Sequence, residues 1–317
     1  MAGLLLVLVC LGGVSPTAAQ LPTLEPRVVR EPITPIPATP AQDQRRVALG
    51  EQLFHDRRLS HDNTRSCSSC HDTRTNGASA KARDSNPHGE PLALNTPTVF
   101  NVGLNFRLNW EGNFRSLERQ AEQALSKPAV MASSVEEVLA KLRADPDVVK
   151  QFRDAYGREP DRDSLLDAIA TFERSLTTPG SRFDRWLVGD GGAITPEELS
   201  GYQLFKSLGC VSCHQGVNVG GNLFQRHGVF HPLGSPEPEV VRVPSLRNVA
   251  TTAPYFHDGS AATLAEAVKA MGITQLDRAL TNEQIAAVVA FLRTLTGTYN
   301  GMPVTPGAEG PHAAVPR

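Results

Sequence analysis

Two short stretches, CSSCH at residues 67–71 and CVSCH at residues 210–214, decide the fold of this chain. Each is Cys-x-x-Cys followed directly by His, the pattern in which two thioether bonds hold a haem and the histidine coordinates its iron. Two copies in one chain therefore predict two covalently attached haem c groups. Their attachment residues are Cys67, Cys70, His71, Cys210, Cys213 and His214. Two small disulfides, or a zinc or redox site, are the alternatives, but neither needs the adjacent histidine twice.

The N-terminus indicates export. Residues 4–14 form an apolar run, and the small residues Thr17 and Ala19 follow at the spacing of a signal-peptidase site. This run is well short of the ~20 residues that span a bilayer as a helix, so residues 1–19 are predicted to be a signal peptide. A retained anchor is the alternative, because no Lys or Arg precedes Leu4. The predicted location is the periplasm.

The composition is that of an ordinary globular protein. The 31 basic and 33 acidic residues leave a formal charge of -2, so the chain has no electrostatic footprint for nucleic acid or an anionic membrane. A protein or small-molecule partner is expected instead. With 317 residues and 40% hydrophobic content, the chain can bury two cores of ordinary size.

The sequence pattern around both haem motifs is helical. Capping boxes, in which Thr is followed three residues later by Glu or Gln, begin three predicted helices, at Thr195 and Glu198, Thr263 and Glu266, and Thr281 and Gln284. Apolar residues with helical spacing follow the first box as Leu199, Tyr202, Phe205 and Leu208. Strand-like alternation is nearly absent, and the predicted fold class is therefore mostly α.

An internal repeat divides the chain into two related halves. GEQLF at 50–54 resembles GYQLF at 201–205, and each lies ahead of its haem motif. PTVFNV at 97–102 resembles PSLRNV at 244–249, and Trp110 in the first half corresponds to His257 in the second. The repeat predicts two tandem cytochrome c-like domains, each with one haem c.

The predicted domain boundaries follow from the repeat and the linker composition. Residues 20–40 are rich in proline and read as an extended lead-in. The predicted order is a signal peptide at 1–19, this lead-in at 20–40, an N-terminal cytochrome c domain at 41–182, a linker at 183–194, a C-terminal domain at 195–298 and a flexible tail at 299–317.

From about Ala41 to Thr298 the chain resembles the bacterial di-haem cytochrome c peroxidase family, which also contains the MauG-type protein-oxidising enzymes. The resemblance rests on the two haem motifs, on NTPTVFNV at 95–102, on WEG at 110–112 and on VPSLRNVATTAPYFHDGS at 243–260. It implies that the N-terminal haem is peroxidatic and that the C-terminal haem receives electrons.

The resemblance also implies further site residues. Met271 corresponds to the sixth ligand of the second iron, and a thioether there raises the potential, as an electron-entry haem requires. His88 aligns with the labile histidine that caps the peroxidatic iron at rest, and Trp110 with the tryptophan between the haems. Gln120 matches the distal glutamine. Family members bind one calcium ion, and the matching positions are Asn95, Thr252 and Pro254.

One position departs from the family. Its members carry a distal glutamate that moves a proton between the two peroxide oxygens, as general acid-base catalysis requires. Counted without gaps from Trp110, that position holds Val130, within KPAVM at 127–131. A valine cannot move protons, and Glu122 is the candidate substitute nearby.

Three functions remain open from the sequence. The first is a peroxidase that reduces hydrogen peroxide to water with electrons from a small soluble cytochrome c or cupredoxin. The second, favoured by Val130, is a non-enzymatic di-haem electron carrier or redox sensor. The third is a MauG-like oxidase of a partner protein, although Met271 stands where MauG-type enzymes have a tyrosine ligand. The resemblance further implies a homodimer.

Overall fold

Helices dominate the computed structural model, which describes residues 31–307. The α-helices are α1 Gln44–His55, α2 Leu117–Ser126, α3 Val135–Arg143, α4 Pro146–Tyr156, α5 Arg162–Ser175, α6 Arg182–Leu187, α7 Pro196–Ser207, α8 Leu264–Leu276 and α9 Asn282–Arg293. Both haem motifs begin with a short 3-10 helix, Cys67–Ser69 and Cys210–Ser212. The predicted fold class, mostly α, is confirmed. The signal segment lies outside the described residues.

The strands of the described part are short and form two separate hairpins. β1 (Phe224–Arg226) pairs antiparallel with β2 (Val240–Arg242), with Gln225 opposite Val241. β3 (Thr298–Tyr299) pairs antiparallel with β4 (Met302–Pro303). No helix within residues 31–307 is both long and apolar enough to cross a membrane.

The three capping boxes form as the sequence predicts. The Thr195 side chain accepts a hydrogen bond from the backbone N–H of Glu198, whose carboxylate accepts one from the Thr195 N–H. The boxes at Thr263 and Thr281 have the same reciprocal geometry. Each satisfies N–H groups that the first turn of a helix leaves without intrahelical partners.

The repeat is visible in how the helices cross. In the first half α1 packs on α5, and in the second half α7 packs on α9. A Cβ added at Gly50 would lie 2.0 Å from the carbonyl oxygen of Ala168, and one added at Gly201 would lie 2.0 Å from that of Ala287. Glycine is therefore required at both crossings, because any side chain would push the two helices apart.

Each half has its own apolar core. The first is built mainly from α1 and α3 to α5, and includes the fully buried Leu142, Phe152 and Leu165. The second is centred on α7 and α9, where Tyr202 and Phe291 are fully buried with ring centroids 5.0 Å apart. Residues 32–307 nevertheless form one compact unit.

Polar contacts join the two halves at matched positions. Asn101 and Asn248 both have φ 59° and ψ 14°, a left-handed conformation that asparagine tolerates better than most residues. Both side-chain amides donate to the hydroxyl of Thr178, over 2.8 Å and 2.9 Å. The junction thus repeats the symmetry of the sequence.

Three predicted segment boundaries need correction. Residues 183–194, predicted as a linker, include most of α6, and Phe183 is fully buried against Tyr202 and Phe291 because its ring completes the second core. In the predicted lead-in, Ile33 is buried in that same core. The predicted flexible tail begins too early, since it includes most of the β3–β4 hairpin, which spans residues 298–303, and Val304 after it is 5% exposed.

Candidate haem centres

The first haem motif lies on a cavity of about 630 Å³, within the range of small-molecule sites. Cys67, Cys70 and His71 all line it. The His71 ring donates its Nδ1–H to the carbonyl oxygen of Gly77 over 3.1 Å. Burial lowers the pKa of His71, so the ring is neutral and its Nε2 lone pair is available to a metal. A hydrogen bond from the far nitrogen to a backbone carbonyl is the usual way in which a ligating histidine is oriented.

The second motif lies on a cavity of about 480 Å³. His214 repeats the arrangement of His71, with Nδ1 donating to the carbonyl oxygen of Val219 over 3.3 Å. Burial lowers the pKa of His214 to about 4. Met271, the predicted sixth ligand, extends from α8 and lines the same cavity.

The four motif cysteines fit thioether attachment. None of them forms a disulfide, so the alternative of two small disulfides is not realised. Burial raises the pKa of the Cys67 and Cys70 thiols to about 12 and that of Cys210 to about 11. Zinc is bound by thiolates, which such surroundings disfavour. Neutral thiols beside a cavity of ligand size suit covalent attachment of a haem in each half.

One difference between the cavities was not foreseen from the sequence. The helices α2 and α8 begin at matched caps, Ser116 and Thr263. Counted from these caps, Met271 corresponds to Ala124, and both residues line their cavities. A methyl group therefore stands in the first cavity where the second has a thioether. The constant spacing of the repeat could have revealed this pair.

The distal residues predicted for the first haem do share its cavity. Gln120 projects into it from α2, and Val130 lines it from the turn after that helix while packing against the core of the first half. The substitute acid, Glu122, does not line it. Its carboxylate instead pairs with Arg162 at 2.6 Å, and this ion pair lowers the pKa of Glu122.

His88 lies apart from the first cavity. It is exposed in a hairpin closed by the bridge between Ser85 and Pro91. The Arg65 guanidinium, which lines the cavity, donates to the carbonyl oxygen of Ser85 over 2.6 Å and so ties the hairpin to the cavity wall. The structure does not bring His88 together with the other site residues.

Trp110 and Asn95, one of the predicted calcium residues, lie where the two cavities adjoin. Trp110 and Asn95 line both cavities, and the indole Nε1–H of Trp110 donates to the carbonyl oxygen of Asn95 over 2.8 Å. Thr252 and Pro254 line the second cavity. The ring of Trp110 makes an edge contact with His257, the residue that corresponds to it in the repeat, at 6.4 Å between centroids.

Two buried charged residues were missed in the sequence analysis. Glu173 on α5 lines the first cavity, and its Oε2 has no hydrogen-bond partner among residues 31–307. Arg242 lines the second cavity, its Nη1 likewise has no partner within the described chain, and burial lowers its pKa to about 10. Arg242 could pair with a carboxylate of a bound cofactor. Sequence signals for both are weak, because charged residues are usually exposed.

The chain is similar to known proteins along most of its length. A family model for di-haem cytochrome c peroxidase matches residues 44–192, and one for cytochrome c matches residues 199–296. A cytochrome c551 peroxidase of Nitrosomonas europaea is 40% identical over 282 residues, which cover 84% of each protein. The methylamine utilization protein MauG of Methylorubrum extorquens is 32% identical over 281 residues, which cover 81% of this chain and 78% of that protein. A solved MauG-like protein associated with microbial copper homeostasis matches with a TM-score of 0.70 at 27% identity, over 89% of this chain and 96% of that one.

Proposed function

The chain belongs to the di-haem cytochrome c peroxidase family, and from this premise we propose that it reduces hydrogen peroxide to water with electrons from a small soluble donor. It carries two haem c groups in two tandem cytochrome c-like domains. The specific donor class that we propose is a cytochrome c or a cupredoxin. The haem held by Cys210, Cys213 and His214 would accept the electrons, and the haem held by Cys67, Cys70 and His71 would supply the iron for the reaction with peroxide.

The observation that carries the proposal is the difference between Ala124 and Met271. Both stand at one position of a repeated helix, and both line a cavity that holds a haem motif. A methionine ligand closes the coordination of an electron-transfer haem and raises its potential. An alanine leaves room for a small oxidant. One fold thus provides an electron-entry centre and an open centre.

The first haem would supply the iron at which peroxide is reduced, and the surrounding residues would bind and orient the peroxide. Gln120 offers an amide that can hydrogen-bond to peroxide in the first cavity. Trp110 presents a large π-system on the wall that both cavities share. We propose that His88 is a removable cap of the first iron, and that its exposed position with Arg65 holding the hairpin corresponds to the open form.

Val130 favours a second function, a di-haem electron carrier or redox sensor. The residue is apolar and packs on the core, and Glu122 is held away by Arg162. Loss of a general acid-base group typically lowers rates by about 10² to 10⁴. We therefore expect slow peroxide turnover together with normal electron exchange. A MauG-like oxidase remains the third candidate, and Met271 in the second cavity weighs against it.

The remaining proposals concern calcium, assembly and location. Asn95, Thr252 and Pro254 could offer one side-chain and two backbone oxygens, donors of the type that calcium prefers. The Asn95 amide is already oriented, since Nδ2 donates to the carbonyl oxygens of Lys81 and Ala82 over 3.1 Å and 3.0 Å. We further propose a homodimer in the periplasm, exported by residues 1–19.

Steady-state peroxide consumption by the holoprotein, with and without prior half-reduction, tests the proposal. We expect faster consumption after half-reduction and a high-spin ferric signal from the first haem as His88 leaves. His88→Ala should give that signal without reduction, whereas His61→Ala, a change at another exposed histidine, should not. Electron exchange with no peroxide consumption in either state would favour the carrier instead.

A further inference from the structure

Glu173 is a buried acid that the proposed reaction does not use. It lies on α5, one turn after Ile169, and is 6% exposed. It lines the first cavity together with Cys67 and Phe54. Two effects raise the pKa of the Cys67 thiol: burial is the larger, and the negative charge of Glu173 is the second. Because that charge acts on Cys67, the carboxyl group lies close to the haem attachment point.

The carboxyl group of Glu173 is not satisfied by a cation. Its neighbour Arg174 forms a hydrogen-bonded ion pair with Glu118 on α2 instead. Burial raises the pKa of Glu173 to about 8. The positive charge of Arg174 lowers this pKa, but its effect is smaller than that of burial. A buried acid without a partner exchanges its proton near neutral pH.

Several charged groups on the elements packed around α5 have partners other than Glu173. On α1, Arg46 pairs with Asp167, and the residue that lines the cavity is the apolar Phe54. The turn at 102–104 has no charged residue. On α3, Glu137 bonds to His61 and Lys141, and Arg143 donates to the carbonyl oxygen of Pro160. Arg174, which lowers the pKa, and Glu118, which raises it, are the groups whose charges act on Glu173.

The second half shows that the fold itself does not need an acid here. At the helix crossing of the first half, Gly50 contacts Ala168 and Phe172; at that of the second half, Gly201 contacts Ala287 and Phe291. Phe172 therefore corresponds to Phe291. The next residue in each helix follows from this match, so Glu173 corresponds to Leu292. Leu292 is 3% exposed and lines the second cavity. The first half therefore buries a carboxyl group where the second buries an isobutyl group, although burying an unpaired acid is unfavourable.

A negative charge beside a haem favours the oxidised iron, and reduction of that iron in turn raises the affinity of the acid for a proton. We propose that Glu173 is the proton-binding group of the first haem, taking up one proton from solvent when that haem gains one electron and releasing it on oxidation. The electron comes from the donor through the second haem, so one charge enters with one compensating proton. This role rests on the proposed assignment of the first haem to Cys67, Cys70 and His71. Glu173 does not contact peroxide in this proposal. It acts through its charge, which changes the reduction potential of the first haem.

The potential of each haem, measured by optical redox titration of the holoprotein from about pH 6 to about pH 10, tests the proposal. The first-haem potential should fall as the pH rises through the pKa of Glu173, by up to about 59 mV for each tenfold drop in proton concentration. In Glu173→Gln this slope should vanish, and the potential should exceed the wild-type value at high pH and match it at low pH. The second haem should be unaffected.

Two further variants keep the test decisive. Glu111→Gln changes an exposed acid at the edge of the same cavity and should retain the slope. Glu173→Leu copies the second half and should behave as Glu173→Gln does, which covers a folding failure of either variant. A flat wild-type curve, or a slope that survives in both Glu173 variants, would overturn the proposal. Loss of peroxide turnover in Glu173→Gln with an unchanged potential curve would overturn it too, since the acid would then serve peroxide. Absence of turnover in the wild type with the slope intact would count only against the peroxidase function.

Discussion

The two haem cavities share a scaffold and differ in the side chains that line it. In both, a half-buried histidine donates Nδ1–H to a backbone carbonyl, and a glycine allows two helices to cross. At three matched positions the linings differ: Gln120, Ala124 and Glu173 in the first cavity correspond to Ala267, Met271 and Leu292 in the second. At these three positions the first cavity has two polar side chains and a small one, whereas the second has only apolar side chains, one of which is a thioether. Wall residues, rather than the fold, therefore distinguish the two cavities.

The largest effect is expected from breaking the difference at Met271. Met271→Leu removes the thioether from the second cavity, so the second haem should lose its sulfur-to-iron charge-transfer band and its potential should fall. Axial-ligand identity sets haem potentials over about 0.8 V, and the fall should be a large part of the gap between the two haems. Spectroelectrochemistry measures both. Met302→Leu, at an exposed methionine, is the control, and an unchanged band and potential in Met271→Leu would return Met271 to a packing role.

The next effect concerns the acid that the first cavity lacks. Val130→Glu should raise peroxide turnover by about 10² to 10⁴, the usual contribution of a general acid-base group, if Gln120 is in place and His88 can leave. A buried acid tends to remain protonated, but a protonated acid can still donate to the leaving oxygen. Steady-state peroxide assays measure the gain, and Val130→Gln, which has similar size but no acid, should stay slow. Rapid wild-type turnover that Val130→Glu leaves unchanged would mean that another group already moves the proton.

The shared part of the comparison is tested at the glycine crossings. Gly50→Ala and Gly201→Ala each place a methyl group 2.0 Å from a backbone carbonyl oxygen. Overpacking typically lowers the free energy of unfolding by about 1 to 3 kcal/mol. The atoms that the new methyl groups would meet belong to the backbone of the facing helix, which cannot rotate away, so both variants should lie at the upper end of this range. Chemical denaturation should show similar losses in the free energy of unfolding for the two. Gly191→Ala, where nothing lies within 4 Å, is the control, and one tolerated crossing would show that the halves are packed differently.

The smallest effect is expected at Glu122. Glu122→Gln breaks the partly exposed ion pair with Arg162, and such pairs contribute about 0 to 1 kcal/mol to stability. Peroxide turnover should not change, because Glu122 does not line the first cavity. Parallel turnover and thermal unfolding measurements check both statements. A large drop in turnover alone would make Glu122 the substitute for the missing glutamate.

Much of this molecule could be predicted from local patterns. The haem motifs, the three capping boxes and the helical apolar stripes depend on residues a few positions apart, so their physical consequences follow from the sequence directly. The corrected segments failed for the opposite reason. Ile33 and Phe183 look like parts of a lead-in and a linker, and only the distant Tyr202 and Phe291 make their burial favourable.

The sequence alone determined that two covalently bound haems sit in two related helical halves, because thioether attachment needs a fixed local spacing and a repeat needs only comparison of the chain with itself. The tertiary structure decided which side chains share a cavity. It separated Glu122 and His88 from the first haem site and brought Glu173 into it. It also placed Ala124 in the first cavity at the position that Met271 has in the second. Burial, and with it the pKa and the pairing of a charged group, depends on every element packed around that group, and no local pattern of residues contains that information.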